Sequence, residues 1–349
     1  MGKNKYLYYA LFLSTFGATS NAEAHVKWFA PYDISKPPLP VGEVITAPFL
    51  YLFLLSIVFM YCYFCLDRFL YRKENYKLSI VNVEINEQQT LFMMRAATVV
   101  FFTALFVYGV CGIVFFLTPE LTCHNNYIPW LQLLTAVFAL RRPLLPLVGV
   151  NILILYSMGI HDYGMFHMLD YLIFIGVACY FLLANHKGMR WLTVRYTVMF
   201  VATGITLLWA SIEKWGYPYW TYPLLEKNPS MLMGMSPEFY MILAGFVEFN
   251  IAFILINSRS ALARLNALGL NFIFILAIFK FGLVDAVGHL IIIAVLTIMF
   301  LRRPNKSANL LALNDKSIWV ESYFMTGIYF LAFNMIFISY YVFYYLMMK

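Results

Sequence analysis

Residues 45–66 read ITAPFLYLFLLSIVFMYCYFCL, without one charged side chain, and Arg68, Arg72, Lys73 and Lys77 follow closely. A run this long matches the roughly 20 apolar residues that a helix needs to cross the hydrocarbon core. The basic cluster behind it assigns that end to the cytoplasm, because Lys and Arg accumulate in loops that stay inside. The same alternation recurs along the chain. It predicts an all-α fold, a polytopic integral membrane helical bundle with about ten transmembrane helices.

Composition points the same way. Charged residues make up 12% and aromatic residues 19% of the 349 residues, against about 25% charged in a soluble domain. Mean hydropathy is +0.75. The net charge of +7 does not indicate nucleic-acid binding, since the basic residues fall in small clusters between apolar runs. No phosphate-cradling glycine loop is present, so no nucleotide is expected. The bilayer itself is the first predicted partner.

Spans are predicted at 45–66, 91–117, 130–140, 144–160, 165–184, 196–212, 237–256, 265–281, 285–301 and 319–348. The short stretch 130–140 either crosses with its ends tucked inward or re-enters. Arg141 and Arg142, then Lys187, Arg190 and Arg195, then Arg259 and Arg264, then Arg302, Arg303, Lys306 and Lys316 mark the inner loops. The chain divides into a segment 1–24, an outer proline-rich segment 25–44, a transmembrane bundle 45–190, a four-helix module 191–301, and a loop with the final helix at 302–349.

Residues 1–24 have the make-up of a secretory signal: Lys3 and Lys5, a short apolar core, and Ala22-Glu23-Ala24 as a cleavage site. Cleavage there leaves His25 at the mature N-terminus, on the outer side of the membrane. Its imidazole and free amine form a chelating pair that favours copper. The other reading makes His25 the first residue of a loop. Five cysteines do not form a disulfide framework. Cys62 and Cys65 are two packed small side chains or a redox or metal pair. Cys123 beside His124 is the likelier metal contact.

Topology gathers scattered polar residues. His25, His124, His161, His167 and His289, five of six histidines, map to the outer side with Asp162, Asp170, Glu213 and Asp285. His167 and Asp170 are i,i+3, and Asp285 and His289 are i,i+4, spacings that share a helix face. Two helices each offering a His and an Asp predict a site for a transition metal: copper, iron or zinc. His161 and His25 are further candidate ligands. Asp162, Glu213, Lys214, Glu248 and His124 are candidates for outer-shell contacts or a proton path. The same pairs also fit helix caps or a metal-free proton relay. Trp215, Tyr217 and Trp220 roof a quinone or lipid pocket, or form an interfacial aromatic belt. Without a CxxCH, covalent haem is not expected.

Arg195, Gly204 and Lys214, then Gly245-Phe246-Val247-Glu248, then Gly288-His289, resemble the DoxX-like membrane family. That family includes the DoxD-type subunit of thiosulfate:quinone oxidoreductase. The resemblance runs from Arg195 to Leu301, about a third of the chain. It implies a four-helix bundle of the bacterial inner membrane associated with redox and quinone chemistry, and it carries no catalytic residue. The expected function is a redox or quinone-linked membrane protein with a periplasm-facing His/Asp metal site, working with a periplasmic or membrane redox partner. The alternatives are a metal-binding or transport protein and a structural or assembly subunit.

Overall fold

The structure is a computed structural model that describes residues 32–73, 84–302 and 316–347. Segment 1–24 and His25 lie outside the described residues. Ten helices of 11 residues or more organise the described residues: α1 Ala47–Arg72, α2 Glu87–Val110, α3 Ile128–Ala139, α4 Leu145–Met168, α5 Leu172–Leu182, α6 Met189–Gly216, α7 Pro237–Asn257, α8 Ala261–Phe281, α9 Leu283–Leu301 and α10 Ile318–Met347. A two-stranded ladder, β1 Val114–Phe115 and β2 Thr122–Cys123, lies between α2 and α3. The protein is all-α in class. Among the described residues, eight helical stretches are long and apolar enough to cross a membrane. Large side chains such as Leu54, Val58, Phe279, Leu331 and Met335 stay exposed on the outer faces of α1, α8 and α10. A polytopic membrane protein presents such faces to lipid.

Helix starts follow local chemistry. Asn86 and Gln89 form a reciprocal capping box at α2, with both bonds at 2.9 Å. The Ser236 hydroxyl accepts from the amide of Phe239 at α7, and that of Ser260 from Leu262 at α8. These bonds satisfy donors that have no partner inside the helix. The link between α8 and α9 is Gly282 alone, at φ +86°. That backbone conformation suits glycine, which has no Cβ to clash.

One expected helix is cut short, and one expected reversal is found. The helix expected over 91–117 stops at Val110, and Gly112 at φ +94° turns the chain into β1. Phe116, Leu117 and Leu121 then bury themselves in the bundle. Gln132 Nε2 holds this hairpin by donating to the carbonyls of Phe115 at 2.5 Å and Phe116 at 3.2 Å. A run of β-branched and aromatic residues reads alike as helix or strand by hydropathy. Second, Arg142–Leu182 is one long apolar stretch folded back on itself, broken at Gly164 with φ +78° and at the 3₁₀ turn Leu169–Tyr171. The reversal expected at 161–164 is therefore present. The returning helix α5 has only 11 residues, and α3 has 12.

Successive helices approach closely at small residues. Gly204 of α6 sits against Ile256 and Ala252 of α7, and Gly176 of α5 against Met199 and Ala202 of α6. Packing does not follow chain order. One core joins α2 to α5, the hairpin and α9. The other joins α1, α6, α7 and α10, the first of these arriving from the far end of the sequence. Its centre is aromatic: Phe49, Trp215, Phe246, Phe249, Phe333 and Phe337 touch one another as edge, tilted and stacked pairs.

Candidate functional site

Where the two cores meet, a cavity of about 120 Å³ opens inside the bundle. Five elements bring ionisable groups to it. The last turns of α6 supply Glu213 and Lys214, the middle of α7 supplies Glu248, and α9 supplies His289. The 3₁₀ turn after α4 supplies Asp170, and the buried hairpin supplies Glu120. Apolar walls come from Ile173, Phe174, Leu207, Phe274, Ile291 and Ile292. The site is amphipathic: carboxylates, an ammonium and an imidazole line the same space as branched and aromatic carbon.

The polar groups are held by neighbours. His289 Nδ1 lies 3.0 Å from Asp285 Oδ2, as their i,i+4 spacing on α9 requires. Asp285 is 1% exposed, so it meets the cavity through the imidazole rather than directly. The His289 ring also lies against Phe274, 4.6 Å between centroids. The Lys214 ammonium pairs with the Glu248 carboxylate. The Tyr171 hydroxyl donates to Glu120 Oε1 at 2.6 Å. Four carboxylates and one ammonium line the cavity.

The second half of α8 is the most open wall. Phe272, Ile273, Leu276 and Phe279 are exposed around almost its whole circumference, while Phe274 reaches the cavity.

The structure brings together only part of the expected constellation. Asp170, Glu213, Lys214, Glu248 and His289 share the cavity, with Asp285 behind His289. His167 does not line it. The backbone changes from α-helix to 3₁₀ turn between His167 and Asp170, which separates the pair. The His167 ring packs against Phe166 and Trp220. His161 and Asp162 are exposed and pair with each other at 2.8 Å. His124 is exposed on its loop. Burial pushes the Cys123 thiol up from its ordinary value, which makes it a poorer metal ligand, since the thiolate is the binding form. Trp215 is a core residue whose Nε1 donates to the Ile242 carbonyl at 3.1 Å. Tyr217 and Trp220 stack on each other, 4.0 Å between centroids. None of these three aromatics lines the cavity. Among the described residues, no three His, Cys, Asp or Glu side chains assemble as a metal-binding group.

Glu120 is the residue that sequence reasoning passed over. It is the only carboxylate between Thr118 and Pro129, in a loop without Lys or Arg. That was its one available signal. Compared with known protein families, curated proteins and solved structures, the chain matches none.

Proposed function

We propose that this chain is a redox-linked protein of the bacterial inner membrane that binds a quinol-type ligand in the interior cavity and takes up its protons there. The observation that carries this reading is the amphipathic cavity, with His289 backed by Asp285 on one side and the Lys214–Glu248 pair on the other. A hydroxyaromatic headgroup has the matching chemistry: a flat apolar ring with hydroxyl groups that need acceptors. Oxidation of a quinol to a quinone releases two protons and two electrons. His289 is the base for one proton, and a cavity carboxylate for the other. The electrons pass to a separate redox partner. Three of the residues that carry the DoxX-like resemblance, Lys214, Glu248 and His289, are cavity residues.

In this reading α3 and α5 complete ten crossings. The cavity end faces the periplasm, because Arg68, Arg72, Arg195, Arg259 and Arg302 lie at the opposite ends of their helices. The test is titration calorimetry of purified full-length protein with a short-chain quinol. One saturable site is expected in the wild type, with binding at least about tenfold weaker in His289→Ala, the loss of one charge-assisted contact. Absence of saturable binding in the wild type, or equal binding by His289→Ala and wild type, would overturn the proposal.

A further inference from the structure

The opposite end of the bundle carries a second, larger cavity of about 730 Å³. It lies among the start of α2 at Glu87, the entry to α4 at Arg142 and Pro143, and the turn from α5 into α6. The α5–α6 turn is compact: Asn185 Nδ2 donates to the Pro143 carbonyl at 3.2 Å, and Gly188 enters α6 at φ +113°. No side chain caps α6, although it runs for 28 residues. Its first-turn amides, at a cavity lined by Gly188 and Met189, present the positive end of a long helix.

A buried side chain at the same cavity points to the same kind of ligand. Arg195 is 4% exposed. It pairs with Glu87 and donates through Nη1 to the Ala184 carbonyl at 3.1 Å, while its Nε has no hydrogen-bond partner among the described residues. Glu87 is already engaged, accepting from Tyr196 at 2.6 Å and facing Arg302 at 3.6 Å. Arg142, Lys187 and Arg195 therefore outweigh the one carboxylate in the lining, with His186 beside them. Met189 and Leu192 add apolar surface to the lining.

We propose that this cavity binds a phosphate-bearing anion at the membrane surface. Its place at the basic end of the helices and its apolar lining favour the headgroup of an anionic phospholipid as the source. Basic pockets between membrane helices recognise such headgroups through the same charge-assisted hydrogen bonds. This site is independent of the carboxylate cavity.

The experiment titrates purified full-length protein in neutral detergent with phosphatidylglycerol, phosphatidylcholine or inorganic phosphate, and reads thermal stability. Phosphatidylglycerol is expected to raise Tm saturably, and phosphatidylcholine to leave it unchanged. Arg142→Gln/Lys187→Gln should weaken the apparent affinity by about tenfold or more. Arg141→Gln/Arg190→Gln removes the same charge outside the cavity and should leave the affinity unchanged. A full shift with inorganic phosphate alone supports the site with free phosphate as its source. The proposal is overturned if no titrant shifts Tm, if phosphatidylcholine matches phosphatidylglycerol, or if both double variants weaken binding alike.

Discussion

Buried charge occurs at both ends of this bundle, and the two ends use it differently. At the basic end, Glu321 of α10 is 1% exposed and meets Arg68 at 3.0 Å, Arg259 at 2.9 Å and Arg72 at 3.3 Å. Beside it, Asp67 accepts from the hydroxyls of Ser258 and Ser260 and from the amides of Arg259 and Ser260. These contacts tie α1, the start of α8 and α10 together, with each carboxylate closely matched to donors. At the other end, carboxylates outnumber cations and surround open space. The same residue types make a structural tie where the donors are complete. They make a candidate site where they line a cavity together with apolar side chains.

The largest expected effect is at the tie. Glu321→Ala leaves three guanidinium groups facing one another and should destabilise the protein by about 3–5 kcal/mol, the cost of breaking a buried ion pair. Thermal unfolding in detergent reads this, and an unchanged Tm would mean the network is not a tie. Next comes Gly245→Ala. The added methyl overlaps the Trp215 indole, and overpacking of this kind costs about 1–3 kcal/mol. Loss of Tm without loss of ligand binding would separate aromatic packing from the cavity one turn away at Glu248.

The cavity should behave in the opposite way to the tie. Lys214→Met/Glu248→Leu removes both partners together and should keep stability within about 1 kcal/mol of wild type or raise it, since apolar replacement of a buried pair is often neutral or better. Ligand binding should nevertheless fall. A large drop in Tm would place this pair in the same structural class as Glu321. The smallest effect is expected at His161→Ala, on an exposed pair: stability within about 0.5 kcal/mol of wild type and unchanged ligand binding. A loss of binding there would restore His161 to the site.

The site was partly legible beforehand. Asp285 and His289 were readable because i,i+4 spacing on one regular helix fixes their contact whatever packs around them. His167 and Asp170 misled because the same logic needs an unbroken helix, and the chain reverses at Gly164 and tightens to a 3₁₀ turn. Glu120 was hidden because its segment reads as an outer loop, whereas the hairpin buries it in the bundle.

The sequence by itself determined the class. Long apolar runs punctuated by Arg and Lys leave little other than membrane helices, because backbone polar groups in lipid must be satisfied within each segment. It also determined which residues are costly to bury. Only the tertiary structure decided which of them meet. Residue spacing along the chain cannot tell that α1 packs on α10, or that Glu120, Asp170, Glu248 and His289 face one cavity. Those meetings come from side-chain packing between helices distant in sequence, which hydropathy and periodicity do not encode.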